Sequence, residues 1–103
     1  MTTLLPRSIL ERDLDAIRAV LASYGVSEAG VFGSVARRED VPTSDLDLIV
    51  RFDDGNPRDL IGLSDALSRL TGLQVDVVDH EAVFARAQAT GIGQSILRDT
   101  VPL

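Results

Sequence analysis

The stretch VFGSVARREDVPTSDLDLIV, residues 31 to 50, decides the fold. It begins and ends with the apolar residues of buried strands, but a Gly-Ser turn and an Asp-x-Asp pair lie between them. Strand side chains alternate between faces, so Asp45 and Asp47 point the same way, about 6 to 7 Å apart along the backbone. Two converging carboxylates without a cation raise each other's pKa and destabilise the site. The pattern therefore indicates a site for a divalent metal ion.

A third aspartate shows the same anomaly further along the chain. In LQVDVVD, residues 73 to 79, Asp76 lies between two valines, where an unpaired charge in a half-buried strand is costly. If the two strands are neighbours, Asp76 can join Asp45 and Asp47 around one point. Ligands that offer only oxygen suit Mg²⁺ or Mn²⁺ rather than zinc. The expected cofactor is therefore Mg²⁺, with Mn²⁺ as the alternative.

The Gly33-Ser34 step supplies the other half of the predicted site. Glycine lets the backbone approach an anion closely, and a helix that begins at Ser34 or Val35 would direct free N–H groups toward a phosphate. Arg37 lies within the first turn or so of that helix. A phosphate cradle beside acidic metal ligands is typical of phosphoryl or nucleotidyl transfer, because a metal pair can hold the attacking and leaving oxygens in line.

Composition restricts the partners. A chain of 103 residues predicts a single domain, residues 1–103, with a core of its own. There is no cysteine, which excludes disulfides, thiol nucleophiles and cysteine metal sites. The net charge is −6 and all ten basic residues are scattered arginines, so no long nucleic-acid partner is expected. A small anion escorted by divalent cations is compatible with this surface.

The sequence does not predict targeting to a membrane. The stretch MTTLLPRSIL lacks the long apolar core and the small-residue cleavage site of a signal peptide. No apolar run approaches the length needed to cross a bilayer. We therefore expect a cytoplasmic protein without membrane contact.

The helices are predicted from the spacing of apolar residues. In residues 7 to 25, RSILERDLDAIRAVLASYG, apolar residues recur in steps of three and four, and Ser8 and Glu11 have the spacing of a capping box, which predicts one helix. A second helix is expected from Pro57, with Asn56 as its cap. Its predicted buried stripe consists of Leu60, Leu63, Leu67 and Leu70.

Three strands alternate with these helices. They are EAGVF, LDLIVRF and LQVDVVD, the second ending at the turn residues Asp53-Asp54-Gly55. The remainder, from residue 81 onward, reads as a short helix, a glycine-marked break and a last apolar turn. This order predicts an α+β fold with a small mixed β-sheet flanked by helices. The helices are expected on one side of the sheet.

The same residues resemble a known signature. Three segments carry the resemblance to the DNA polymerase β nucleotidyltransferase superfamily: Gly33-Ser34-Val35-Ala36-Arg37, Ser44-Asp45-Leu46-Asp47-Leu48 and Val75-Asp76-Val77-Val78. Among its branches the chain most resembles the minimal nucleotidyltransferases, which are single-domain antitoxin partners of HEPN-domain toxins. The resemblance implies the nucleotidyltransferase fold of the polymerase β catalytic core.

The resemblance also implies roles for these residues. Those that match Asp45 and Asp47 bind the metal ions, and the one that matches Asp76 completes the metal site and helps to activate the acceptor hydroxyl. The Gly33-Ser34 pair holds the triphosphate, with Arg37 beside it. The implied reaction is transfer of AMP from ATP to a tyrosine of a HEPN toxin, which the modification silences in a type VII toxin–antitoxin pair.

One position departs from the family's pattern. The family commonly continues Ala-Arg with glycine, whereas here Arg38 follows Arg37 and Glu39-Asp40 come directly after it. Arg38 either adds a phosphate contact or crowds the loop. The alternative to an active enzyme is a catalytically weak binding module that neutralises a toxin by complex formation.

Four other features lie outside the predicted site. His80 is expected in a loop and is assigned no role, and Tyr24 is expected in the core. Asp79 is the rival for the third carboxylate, but alternation places it on the opposite face from Asp76. The C-terminal segment SILRDTVPL has apolar residues that are expected to contribute to an interface with the partner.

Overall fold

The computed structural model describes residues 4–55 and 57–103. Its helices are α1 (Pro6–Arg12), α2 (Leu14–Ser23), α3 (Gly33–Ala36), α4 (Leu60–Thr71), α5 (His80–Thr90) and α6 (Gln94–Asp99). Its strands are β1 (Val26–Phe32), β2 (Leu46–Phe52), β3 (Val75–Asp79) and β4 (Val101–Pro102).

The strands form a single mixed sheet in the order β3-β2-β1-β4. β2 pairs with β3 in parallel, whereas β1 is antiparallel to both β2 and β4. The bounds of β2 are those predicted, because its apolar run ends where the backbone N–H of Asp53 turns back to donate to the carbonyl of Gly25 at 2.8 Å. The α+β fold with a small mixed sheet is confirmed.

The core lies between this sheet and the helices α2 and α4. Alternation along β2 places four side chains on the core face, Leu46, Leu48, Val50 and Phe52, and all are at least 96% buried. Ile17 and Leu21 of α2 and Leu63 and Leu67 of α4 complete the same cluster. Each buried aliphatic side chain of this kind contributes about 1.5 to 3 kcal/mol relative to exposure. The core thus holds β2 rigidly, with its other face turned toward the site.

Residues of β2 on the opposite face are also partly covered. Ile49 points away from the core cluster yet is only 3% exposed. The helix α5 begins directly after β3 and contacts β2 and β3. Its first residue, His80, lies with Nδ1 3.2 Å from a guanidinium nitrogen of Arg51, which shares the Ile49 face. The expectation that the helices lie on one side of the sheet is therefore wrong, because α5 covers this second face.

The short strand β4 closes the edge of β1. Gly30 and Val31 pair with Pro102 and Val101, and the backbone N–H of Leu103 donates to the carbonyl of Ala29 at 3.1 Å. A Cβ at Gly30 would overlap the methyl group of Thr100. Glycine at this position is therefore what allows the chain to approach β1 so closely.

The predicted N-terminal helix is wrong in one respect, because two helices take its place. Asp13 separates α1 from α2, with φ −101° and ψ 13°, and its side chain is held by Arg12 at 2.9 Å. The predicted capping box is also wrong, since Ser8 lies inside α1 and the N-cap position is Leu5. The apolar stripe itself is correct: Leu10, Ile17 and Leu21 are buried.

The second predicted helix begins later than the sequence indicated. α4 starts at Leu60, and the carboxylate of Asp59 caps it by accepting from the N–H of Gly62 at 2.8 Å. The predicted cap, Asn56, lies outside the described residues. Of the predicted stripe, Leu63 and Leu67 are buried, but Leu70 is 37% exposed in the last turn of α4.

Two smaller expectations concern the single residues His80 and Tyr24. His80 is the first residue of α5 and not a loop residue, since the carboxylate of Asp79 caps that helix. Tyr24 packs against the core as expected, and its hydroxyl donates to the carbonyl of Gly62 at 3.2 Å. None of the helices in the described part of the chain combines the length and the apolar character needed to cross a membrane.

Candidate active site

Two of the three predicted acidic residues are neighbours across β2 and β3. Asp47 and Asp76 are register partners in the parallel pair, so their side chains leave the sheet on the same face. Adjacent strands lie about 4.8 Å apart. Asp45 precedes β2 by one residue and is exposed, as is Asp76, whereas Asp47 is half-buried. The pairing of β2 with β3 therefore brings together the carboxylates that the sequence separates by about thirty residues.

The charge of this cluster is visible in the pKa of Asp47. Burial raises that pKa above its ordinary value, and the negative charges of Asp76 and then Asp45 raise it further. The guanidinium of Arg37 acts in the opposite direction. The ionised cluster is thus unfavourable by itself and favours the arrival of a cation.

The donor set fits a hard divalent cation. Within residues 4–55 and 57–103, no three acidic or imidazole side chains already stand in the arrangement of a metal site. Asp45 and Asp76 are exposed, however, so their carboxylates can change rotamer toward Asp47 at small cost. Carboxylate oxygens are the ligands that Mg²⁺ and Mn²⁺ prefer. The residues present are therefore suited to such an ion.

The predicted phosphate cradle lies directly against this cluster. Gly33 has φ +76°, a left-handed conformation that few other residues adopt, and it begins α3 after the extended Phe32. A Cβ at Gly33 would overlap Oδ2 of Asp47. Ser34 follows in the first turn of α3 and is half-buried. The cradle and the acidic cluster are thus one continuous surface.

Arg37 lies at the end of α3, as its C-cap. Its Nε donates to Oε2 of Glu39 at 3.2 Å, and both side chains are about half or more exposed. Exposed ion pairs of this kind contribute about 0 to 1 kcal/mol. The guanidinium can therefore leave Glu39 for a phosphate at little cost.

Arg38 has an unusual backbone conformation. Among the described residues it is the one non-glycine residue with positive φ, at 58°. Its N–H donates to the carbonyl of Val35 at 3.1 Å, so this conformation ends α3. The left-handed region favours glycine, so arginine at this position carries a backbone strain that glycine would not have.

Sequence reasoning missed the contribution of α6. A cleft of about 190 Å³, here named the α3–α6 cleft, separates α6 from the corner between β1 and α3. Its lining residues are Phe32, Gly33, Arg37, Ser95, Ile96 and Asp99. Gly33 and Arg37 therefore belong both to the predicted cradle and to this cleft. The glycine-marked break and the apolar turn after it indicated this segment, but the four-residue spacing of Ser95 and Asp99 is common in helices without any role.

Asp79 is engaged elsewhere, as alternation predicted. It pairs with Val50 in the register and is buried, with Oδ2 2.7 Å from the guanidinium of Arg58. Its other carboxylate oxygen accepts from the N–H of Glu81 at 3.0 Å. Asp79 therefore stabilises the start of α5 and stays apart from Asp76.

A larger cavity, about 680 Å³, lies at another place on the described surface. It is bounded by the first half of β1, by α2 and by the C-terminal residues, and it contains none of the six predicted site residues. Size alone would favour it as a binding site. The acidic cluster differs from this cavity in that the negative charges of Asp76 and Asp45 act on Asp47 there, directly beside the backbone of Gly33.

Comparison with known proteins gives a consistent result. The nucleotidyltransferase domain family matches residues 14–101. The chain is 37% identical over 79 residues to the protein adenylyltransferase MntA of Thermococcus cleftensis. The aligned residues cover 76% of this chain and 75% of that protein.

Solved structures agree with the sequence comparison. A structure described as a minimal nucleotidyltransferase superposes with a TM-score of 0.72 at 36% identity, covering 94% of this chain and 95% of that one. A toxin–antitoxin crystal structure with AMP-PNP superposes with a TM-score of 0.65 at 21% identity, covering 85% of this chain and 69% of the other. The second likeness shows that the fold is shared.

Proposed function

The chain belongs to the nucleotidyltransferase domain family, and from that premise we propose that it transfers AMP from ATP to a hydroxyl group on a partner toxin. In this proposal the protein is the antitoxin of a toxin–antitoxin pair, and the acceptor is a tyrosine of a HEPN-domain toxin. The relative named a protein adenylyltransferase and the toxin–antitoxin neighbour with AMP-PNP support it.

The observation that carries the proposal is the contact between Gly33 and Asp47. A Cβ at Gly33 would overlap the Asp47 carboxylate, so a phosphate lying against the Gly33 backbone would come next to the acidic cluster. An anion and a set of carboxylates tolerate such proximity only with a cation between them. This arrangement suits a metal-bound nucleotide better than it suits a purely structural corner.

Asp45, Asp47 and Asp76 would hold Mg²⁺ or Mn²⁺ in this proposal. When bound, the ion supplies positive charge that offsets the charge developing on the phosphate oxygens. Ser34 and the backbone of Gly33 orient the triphosphate, and Arg37 exchanges Glu39 for a phosphate oxygen.

The proposed reaction is a displacement at the α-phosphorus. The acceptor oxygen forms a bond to that phosphorus while the bond to the bridging oxygen breaks, and pyrophosphate leaves. The proton of the acceptor hydroxyl passes to the carboxylate of Asp76. Because Asp76 is exposed, a side chain from a docked partner can reach it.

Co-expression with a HEPN-domain protein encoded beside this chain, followed by co-purification and intact mass measurement, tests the proposal. Incubation with ATP and Mg²⁺ is expected to add one or more AMP units to the toxin. Asp45→Asn should remove this gain in mass. The matched control is Asp54→Asn, which removes a carboxylate from the exposed turn after β2 and should leave transfer intact.

Two results would contradict the enzyme. One is an unchanged toxin mass under ATP and Mg²⁺ although the two proteins co-purify, which would favour the binding module. The other is a wild-type rate of transfer in Asp45→Asn or in excess EDTA, which would remove the carboxylates from the mechanism.

A further inference from the structure

The α3–α6 cleft shares a wall with the predicted phosphate cradle. Gly33 and Arg37 line both, and α6 supplies the opposite wall. Whatever occupies the cleft is therefore directly next to the phosphates of a bound nucleotide. In a nucleotide the group joined to the α-phosphate is the sugar.

The size of the cleft limits what can enter it. Its volume is about 190 Å³. Sites that enclose a whole ligand the size of a drug usually have about 300 to 1,000 Å³. The cleft can therefore hold one part of a nucleotide, and the other parts extend over the open surface beside it.

The polar groups on α6 suit a hydroxyl-bearing ligand. Ser95 and Asp99 are four residues apart and so lie on the same face of the helix. Arg37 pairs with Glu39 rather than with Asp99, which leaves the Asp99 carboxylate open to the cleft. The hydroxyl of Thr100 donates to the carbonyl of Ile96 at 2.6 Å and fixes the end of α6, where Asp99 lies.

The charge of Asp99 decides which part of the nucleotide it can contact. A carboxylate repels phosphate oxygens but accepts hydrogen bonds from neutral hydroxyl groups, and such charge-assisted bonds are among the stronger ones. Phe32 and Ile96 offer apolar surface for carbon atoms of the same ligand. A sugar with free hydroxyl groups matches both properties.

We infer that Ser95 and Asp99 bind the ribose hydroxyl groups of the nucleotide and make the site prefer ribonucleotides to deoxyribonucleotides. The inference rests on the proposed function, since it assigns a position to the sugar of the ATP that the proposal places in the cradle. Asp99 is thereby a residue that determines specificity.

Calorimetric titration of the whole chain with ATP, 2′-deoxy-ATP and 3′-deoxy-ATP in Mg²⁺ tests this inference. Wild type should bind at least one deoxy compound about tenfold more weakly than ATP, as expected for the loss of a hydrogen bond to a charged group. Asp99→Asn should bring that ratio close to one, and Ser95→Ala should reduce it. The matched control is Asp65→Asn on α4, where the carboxylate pairs with Arg69 on the exposed surface.

Equal affinity of wild type for all three nucleotides would overturn the inference. So would an Asp99→Asn variant that loses affinity uniformly but keeps the wild-type ratio, since that result means a structural role. If ATP binds and AMP transfer proceeds in either case, the proposed function stands. If wild type binds no nucleotide and transfers no AMP, the proposed function fails and the ribose assignment fails with it.

Discussion

The carboxylate of Asp47 lies in the space that a side chain at Gly33 would require. Gly33 begins α3 and Asp47 lies on β2, so this contact fixes the acidic cluster relative to the glycine corner. Replacing the two residues should have different effects, because Asp47 provides the negative charge and Gly33, which has no side chain, leaves space for the Asp47 carboxylate.

Replacing Asp47 by asparagine should stabilise the protein at pH 7 in the absence of divalent metal. The folded state raises the pKa of Asp47 above its ordinary value of 3.8, chiefly by burial and then by the charges of Asp76 and Asp45. The contribution of the protonated Asp47 carboxyl to the free energy of unfolding is therefore fully present below pH 3.8. It is lost as the pH rises through the folded-state pKa. Asparagine is neutral and does not incur this loss.

Thermal unfolding between pH 3.5 and 7.5 in EDTA measures this effect. Asp47→Asn should have the higher Tm at pH 7, and the difference should shrink toward pH 3.5. Added Mg²⁺ should raise the Tm of wild type but not of the variant. A variant that is no more stable than wild type at pH 7 in EDTA would speak against the electrostatic conflict.

Gly33→Ala and Gly72→Ala form a matched pair. Both glycines have φ +76°, so alanine at either position should cost about 1 to 2 kcal/mol of unfolding free energy. At Gly72 a Cβ meets nothing within 4 Å, whereas at Gly33 it overlaps Oδ2 of Asp47. The Asp47 side chain can turn away, and AMP transfer and metal-dependent stabilisation should then be lost at Gly33 alone.

Urea denaturation and the transfer assay together separate the two effects. Similar unfolding free energies with different activities are the expected result. Equal activity of the two alanine variants would show that the position of Asp47 relative to Gly33 has no importance for the reaction.

Arg38→Gly should stabilise the protein slightly. The positive φ of Arg38 costs about 1 to 2 kcal/mol for a residue with a Cβ, and the extra backbone entropy of glycine in the unfolded chain offsets about 0.5 to 1 kcal/mol of the gain. The net gain should be about 0 to 1.5 kcal/mol. Arg38→Val should destabilise, because a β-branched residue tolerates positive φ poorly. A lower stability of the glycine variant would mean that the arginine side chain makes a contact of greater value.

Asp40 should anchor the segment between α3 and β2. Its Oδ2 accepts from the backbone N–H of Arg7 at 3.0 Å, at the start of α1, where Leu5 provides no side-chain cap. Asp40→Ala should cost about 1 kcal/mol, as the loss of a helix cap does. Asp40→Asn keeps an acceptor and should cost less. Chemical denaturation distinguishes the two, and equal stability of both variants and wild type would remove this role.

The part of the fold that sequence could predict is the part governed by local pattern. β2 was predicted with its correct bounds, because an apolar run ends at the turn residues Asp53-Asp54-Gly55. The sequence does not show that the first predicted helix divides into two. Its apolar spacing continues through Asp13, although the backbone leaves the helical conformation there. Asp59 is the residue that caps α4. The sequence alone does not single it out, because several polar residues precede that helix.

The predicted site residues depend on tertiary pairing to different extents. Asp45 and Asp47 share a face by strand alternation alone, which sequence shows. The proximity of Asp76 required β2 and β3 to be neighbours, which the structure provides. The approach of α6 to Gly33 depends on packing between elements far apart in sequence, so no local pattern could have indicated Asp99. The catalytic and metal-binding roles of these residues stay predictions.

The pairing of β4 with β1 has a consequence for how the protein folds. Gly30 pairs with Pro102 although most of the chain lies between them in sequence. Closing so long a loop costs entropy, and the pairing of β4 with β1 that offsets this cost consists of two residue pairs. Long-range β pairing of this kind is intrinsically slow, because the entropy of loop closure is lost before the contacts form. α6 directly precedes β4, so we expect it to dock in the same late step. We therefore expect the cleft beside Gly33 to be completed last, so that a nascent chain gains this wall of the proposed nucleotide site only after the rest of the sheet has formed.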